Sequence, residues 1–477
     1  MESQQATGCS LGSIARKLFV LSGEMLKMTI RTRTVFLCLT LVGLMLPIAG
    51  PAAPRQDPSA LPPAITAYVG ATLIDGTGAA PLADSVIVVR GDRITALGRS
   101  SEIKVPDGAS KVSLSGRYVI PGLINTHVHL ASPPLPEVAK AYLRRELYSG
   151  VTAVRDMAGD ARLLGELKRE ALRDEIASPD IYYSALVAGP GFFSDPRVAV
   201  SLRGWKPGTA PWMHSVDENT DLPQLIAEAK GTGATGIKIY ADLSEALIRE
   251  VTAEAHRQGM KVWAHAFVPP TLPSEVAKSG VDSMSHADLV AYELADPVPR
   301  SYKELSPIDP AAAQPSPRID RVLELMARNH IILDATVNVS YLYPSNKLFP
   351  QGVASAIAGE AFRHGVLLST GTDDDPDFHV ADSRLLAEIE RLVQESRLSP
   401  MDVIRAATAN GASVLGIGDQ VGTLAGGKTA NFVILKRDPL TDIRNLRSVE
   451  IVVKHGKRYP RSKYVPASPA LVPSDAN

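Results

Sequence analysis

Val119-Ile120-Pro121-Gly122-Leu123-Ile124-Asn125-Thr126-His127-Val128-His129 decides how the rest of the chain reads. The apolar run from Tyr118 to Ile124 predicts a buried strand. Two histidines follow at its carboxyl end, one residue apart. On an extended backbone, positions i and i+2 point the same way. Both imidazoles can therefore reach one point in space, as a bound metal requires. A bare His-x-His also fits two unrelated polar residues at a strand end, so the reading turns on what partners the chain supplies.

From Tyr118 onward, strand-like runs alternate with helical ones, the signature of βα units on a parallel sheet. Strands are expected at Tyr118–Thr126, Val151–Arg155, Ile181–Val187, Gly236–Tyr240, Lys261–Ala266, Val281–Ser285, Ile331–Val337 and Val366–Thr370. Eight units predict an α/β fold of the TIM type, a (β/α)8 barrel over residues 118–418. Two long segments, Ala188–Asn219 and Asp288–Pro317, each follow a strand and so belong to the active face of such a barrel. Both are rich in Gly and Pro. The first carries Phe192, Phe193, Trp205 and Trp212, and both are expected to cover substrate.

Residues 65–117 read differently, as short strands broken by turns such as Asp75-Gly76-Thr77-Gly78. Strands return at Ala430–Leu435 and Val449–Val453. Both ends are expected to build one small β-sandwich, from residues 65–117 and 419–460, with a tail at 461–477. Between them, Gly422-Thr423-Leu424-Ala425-Gly426-Gly427-Lys428-Thr429 fits the pattern of a phosphate-binding loop. That loop works only after a buried strand and at the start of a helix, where amides and the helix dipole face the phosphates. Here a strand follows, Asn431-Phe432-Val433-Ile434-Leu435, so the stretch reads as a turn.

The first 53 residues have the pattern of a leader. Arg31 and Arg33 precede an apolar run, Val35 to Ala49, and small residues and prolines follow. The run is shorter than the ~20 residues that span a bilayer, so a cleaved export signal is expected, with periplasmic or secreted location and no membrane span after cleavage. Met28 is a better start than Met1. Residues 54–64 read as a proline-rich linker. Both cysteines, Cys9 and Cys38, lie in the leader, which leaves no thiolate ligand afterwards. Losing residues 1–53 changes the net charge from −1 to −4, since five basic and two acidic side chains go with them. A mildly acidic chain gives no electrostatic case for nucleic acid. A homo-oligomer is compatible with the sequence, which does not set the copy number.

TIM barrels keep their chemistry at the carboxyl ends of the strands. There this chain places His127 and His129 on the first strand, Lys238 on the fourth, His265 on the fifth, His286 on the sixth and Asp373 on the eighth. Each alone has a plain explanation: a surface lysine, a satisfied core histidine, a helix-capping aspartate. Together they put four of the ten histidines at three strand ends of one rim, with an aspartate on the last strand.

With these residues the chain resembles the amidohydrolase superfamily, in particular its imidazolonepropionase-like and prolidase-like branch. The matching pieces are Pro121 to His129, then Lys238, His265, His286 and Gly371-Thr372-Asp373, and in the tail Gly422 to Asn431 followed by Pro439-Leu440. The likeness spans about Tyr68 to Gly456. Asn431 departs from the usual aspartate, far from the other motif residues. The resemblance implies two divalent metal ions. Those matching His127, His129 and Asp373 hold one; those matching His265 and His286 hold the other; a carbamate on the residue matching Lys238 bridges them. Imidazole and carboxylate suit Zn²⁺. A lysine ammonium cannot ligate, whereas a carbamate is an anion with two oxygens. The metal pair activates a water, and Asp373 moves its proton to the leaving group. Tyr240, two residues past Lys238, points to the same side and is expected to bind substrate, although a packed core tyrosine fits equally well.

The implied function is an exported hydrolase of a C–N bond in a small amide, such as a dipeptide, an N-acyl amino acid or a cyclic amide. Alternatives on the same barrel are ester, lactone or phosphotriester hydrolysis, and a one-metal deaminase in which Lys238 stays an amine. A non-catalytic binding protein is disfavoured because every ligand type is present. Asp156 is read as making a structural hydrogen bond, Asp374 and Asp375 as solvated loop carboxylates, and His379 as a loop residue.

Overall fold

The computed structural model describes residues 64–374, 376 and 380–467. The expected leader, most of the linker, Asp375 and His379 lie outside the described residues. No helix among the described residues is long and apolar enough to cross a membrane.

Eight parallel strands form the barrel: β1 (Leu123–Val128), β2 (Val151–Asp156), β3 (Asp180–Ala188), β4 (Gly236–Ile239), β5 (Lys261–His265), β6 (Ser283–Ser285), β7 (Ile332–Asp334) and β8 (Leu368–Ser369). Each pairs in parallel with the next in chain order. The ring closes where the Thr126 amide donates to the Thr370 carbonyl at 2.9 Å and Val128 bridges Asp374 in the parallel sense. Helices lie between the strands because their apolar positions recur at helical spacing. In Pro317–Arg328, Ile319, Val322, Leu323 and Met326 are the buried ones. They form one stripe against the barrel, each contributing about 1.5–3 kcal/mol of burial.

The apolar run read as the first barrel strand is two strands in two sheets. Tyr118–Pro121 pairs with Ile65–Leu73 and, antiparallel, with Phe432–Leu435; the barrel strand starts at Leu123. The break is at Gly122, where the chain passes so close to the next strand that a Cβ would lie 2.1 Å from Thr152 Oγ1. A glycine there lets one continuous segment serve both sheets.

The other sheet is mixed and has eight strands, supplied by both ends of the chain: Ile65–Leu73, Leu82–Arg90, Arg93–Arg99, Ser110–Ser113, Tyr118–Pro121, Phe432–Leu435, Val449–Lys454 and Lys457–Pro460. Side chains alternate between its faces. Phe432 and Ile434 pack with Tyr68 and Val119, while Val433 and Leu435 join the barrel core.

The two insertions carry structure of their own. The first holds a short helix, Pro196–Val200, and the strand Met213–Ser215. That strand pairs in parallel with Leu186–Ala188, the end of β3 that outruns β2. The second is built from 3-10 turns at Ala287–Leu294, Tyr302–Glu304 and Pro310–Ala313.

Candidate active site

His127, His129, Lys238, Tyr240, His265, His286 and Asp373 all line one cavity of about 700 Å³ at the carboxyl ends of the strands. Asp373 sits among three of the histidines. Its Oδ1 lies 2.9 Å from His129 Nε2 and 3.3 Å from His127 Nε2, and its Oδ2 3.8 Å from His286 Nδ1. One ligating atom from each of His127, His286 and Asp373 falls within 4.8 Å of the others, close enough to share a cation. His265 packs behind, its ring centroid 4.8 Å from that of His286, edge to face, and 4.1 Å from that of Tyr240. His286 and Asp373 both hold positive φ, 72° and 48°. Such strain collects where side chains must be aimed.

Burial pushes His127 and His265 below the usual histidine value and His286 down to about 3. The imidazoles are thus neutral, with a lone pair to offer. Burial pushes Asp373 up, but its close contact with the His127 ring and the hydrogen bond from His129 outweigh it and keep the carboxyl below its ordinary range. Lys238 is the outlier. It is fully buried on β4, and its Nζ has no hydrogen-bond partner among the described residues. Burial, with the Arg155 charge, pushes it down to about 7. An amine so placed is costly unless something absent from the chain completes it. Four imidazoles, one carboxylate and an orphaned amine lining one cavity, three of them close enough to share a cation, fit a metal centre.

A family model, the amidohydrolase family, matches residues 118–459. The chain belongs to that family. Among curated relatives, it is 27% identical to the 5'-deoxyadenosine deaminase of Methanothermobacter thermautotrophicus over 380 residues, 75% of this chain and 83% of that one. It is 25% identical to the ochratoxinase of Aspergillus niger over 454 residues, 83% of this chain and 86% of that one. The crystal structure of a Xaa-Pro dipeptidase with bound methionine superposes with a TM-score of 0.66, at 22% identity, covering 83% of this chain and all of that one; that likeness bears on the fold. The amidohydrolase is therefore an enzyme of a metal-dependent family.

The amidohydrolase site has a member that the sequence reading missed. Asp334, at the end of β7, is fully buried. Its carboxylate accepts from His127 Nδ1 at 2.9 Å, Arg155 Nη2 at 3.0 Å, Ser285 Oγ at 3.0 Å and Thr126 Oγ1 at 2.7 Å. Burial pushes Asp334 up, but the His127 hydrogen bond and the Arg155 charge more than offset it, so it stays ionised. The contact fixes the His127 proton on Nδ1 and turns Nε2 toward Asp373, the orientation a ligand needs. Gly371 makes room, since a Cβ there would lie 2.5 Å from His127 Cβ and 2.7 Å from Asp334 Oδ1. The available signal was a charged residue inside an otherwise apolar strand. Thr336 plays a similar part for His286, its Oγ1 3.0 Å from Nδ1.

Asp156 accepts from the Leu130 and Ala158 amides at 2.5 and 3.1 Å, the structural role expected of it. Asp374 is not a solvated loop carboxylate. It is buried, accepts from Tyr142 Oη at 2.6 Å, lies 3.5 Å from Arg145 Nη2, and faces away from the cavity. The reason is closure of the barrel: the residue after Asp373 bridges to β1 and turns onto helix Pro136–Tyr148. The phosphate-loop decoy is also explained. Lys428 Nζ donates to the Gly418 carbonyl and to Thr423 Oγ1, both at 2.6 Å, and so ties a turn.

The walls above the histidines come from both insertions. Phe192 and Val200 belong to the first, Asp288, Tyr302 and Leu305 to the second. Phe192, Tyr240 and Tyr302 pack as one aromatic group, with centroids 4.6 to 5.9 Å apart. Asp242 holds the second insertion in place by accepting from the Tyr302 amide at 2.7 Å. Burial pushes Asp288 up to about 7.

Proposed function

We propose that the amidohydrolase cleaves a C–N bond of a small amide, such as a dipeptide, an N-acyl amino acid or a cyclic amide, at a two-metal centre. His127, His129 and Asp373 would hold one divalent cation, His265 and His286 the other, and a carbamate on Lys238 would supply anionic oxygens to both. Zn²⁺ suits these donors. The observation that carries the reading is the buried Lys238 Nζ, without a hydrogen-bond partner among the described residues, in a cavity lined by four histidines and Asp373. Carbamate formation resolves it. The amine attacks the carbon of CO2, an N–C bond forms, one proton leaves, and the product is an anion with two oxygens.

Bound cations supply a polarised carbonyl and a water acidic enough to attack it near neutral pH. The chain's residues do the rest. Asp373, kept ionised by its histidine neighbours, takes the proton of the attacking water and hands it to the leaving nitrogen. Asp334 and Thr336 hold the His127 and His286 rings in register. Tyr240 donates a hydrogen bond to the substrate, and the insertions carrying Phe192 and Tyr302 keep bulk water out.

A one-metal deaminase is the second reading, favoured by the deaminase relative. In it Lys238 remains an amine and the site carries a single cation. Export is part of the first reading. It rests on Arg31, Arg33 and the apolar run Val35–Ala49, and cell fractionation tests it. The activity itself is tested by amine release from a panel of N-acyl amides, with metal-stripped and metal-reloaded protein. Release that returns with the metal supports the reading; release undiminished in stripped protein contradicts it.

A further inference from the structure

The cavity that holds the histidines has a closed end and an open one. His127, Lys238, His265 and His286 at the strand ends are buried. Two other lining residues are not: Val200 of the first insertion is 36% exposed, and Tyr343, in the segment after β7, is 38% exposed. Single exposed apolar side chains are ordinary on a protein surface. These two stand apart because they line the same cavity from separate segments, and so belong to its mouth.

Much of the remaining wall is apolar. Phe192, Val198, Met213 and Leu289 are buried, and Leu305 and Phe349 are partly so. Several polar members are engaged with the chain itself: Ser132 Oγ lies 2.7 Å from Ser201 Oγ, and Asn346 Oδ1 accepts from the Leu348 amide at 3.1 Å. The volume of about 700 Å³ falls within the roughly 300–1,000 Å³ of pockets that enclose a drug-sized ligand. A dipeptide of two small residues needs far less and would leave apolar wall facing water, which is unfavourable. An apolar group that covers the wall gains up to about fourfold in affinity for each methylene it fully buries.

We propose that Val200 and Tyr343 are specificity-determining residues at the mouth, and that the substrate is an amide carrying an extended apolar group that runs from the scissile bond toward them. The scissile bond then sits at the closed end, among the histidines. This rests on the amide-hydrolase reading above and narrows its substrate class: amides with an apolar group several carbons long are good members, and dipeptides of small residues poor ones.

The test uses two series that share one parent, N-methylacetamide. One lengthens the acyl side, up to N-methyloctanamide; the other lengthens the amine side, up to N-octylacetamide. Amine release is followed with metal-loaded wild type, Val200→Asp and Tyr343→Ser. In the wild type, kcat/KM is expected to rise by about two- to fourfold per methylene in at least one series, chiefly through KM. In V200D and Y343S the ratio of the longest member to the parent should fall severalfold; each ratio is taken within one protein, and the two variants are made separately, so that one remains if the other fails to fold. Flat rates along both series in the wild type would overturn the proposal and leave amide hydrolysis standing. A ratio unchanged in the variants would overturn the role given to the mouth. If no member is cleaved, the function reading fails for simple amides, and both series are compared as ligands by calorimetry on the metal-loaded protein. Affinity that climbs with chain length then supports the proposal; affinity independent of length overturns it.

Discussion

Asp334→Asn separates orientation of the proposed metal ligands from the ligands themselves. The side chain keeps its shape and loses its charge. Arg155 stays fully buried and charged, since burial pushes it down only to about 10. Its other polar contacts are the Thr126 carbonyl and Ser283 Oγ, neither of them anionic. Leaving a buried charge without its counter-ion costs about 3–5 kcal/mol. The asparagine still accepts from one donor, so we expect the lower end, about 3 kcal/mol, a large share of a typical 5–15 kcal/mol total. A mis-aimed His127 weakens metal binding by about 10- to 100-fold. Urea unfolding of metal-stripped wild type and D334N gives the first number, and chelator competition the second. Adding Arg155→Met should recover part of the stability, because the unpaired charge goes with it. A loss below about 1 kcal/mol with unchanged metal affinity would refute the role given to Asp334.

Two further predictions follow from burial and close approach. Glu388 is buried and accepts from the Val337 and Asn338 amides at 3.0 and 2.7 Å; burial pushes it up to about 8 from an ordinary 4.5. A raised carboxyl binds its proton more tightly in the folded state, so its contribution is fully present below about pH 4.5 and is lost as pH rises through about 8. Metal-stripped wild type should therefore lose more urea resistance between pH 5 and pH 8.5 than Glu388→Gln does; parallel slopes would contradict this. Gly122→Val drives a branched side chain into Thr152 and should cost about 1–3 kcal/mol or more, read as a lowered midpoint of unfolding. A wild-type midpoint would show that the junction of the two sheets tolerates a side chain.

What could be read in the sequence was whatever is encoded locally. Alternating strand and helix patterns give the eight barrel units because periodicity is a property of short windows. The cavity-lining histidines, Lys238 and Asp373 were legible because each lies near the carboxyl end of a strand, and topology alone brings those ends together. What stayed hidden depends on partners far along the chain. Asp334 gains its meaning from His127 and Arg155, 207 and 179 residues away. Asp374 in an Asp-Asp-Asp run looks solvated until Tyr142, 232 residues earlier, is placed against it. The two-sheet split at Gly122 rests on contact with Thr152, which no local pattern records.

Metal content per chain, by elemental analysis of wild type and Lys238→Ala purified alike without added metal, bears on all of this. A carbamate-bridged pair predicts about two metals in the wild type, falling to one or none in K238A. One metal in both proteins would contradict the bridge and leave the single-metal deaminase as the reading to pursue.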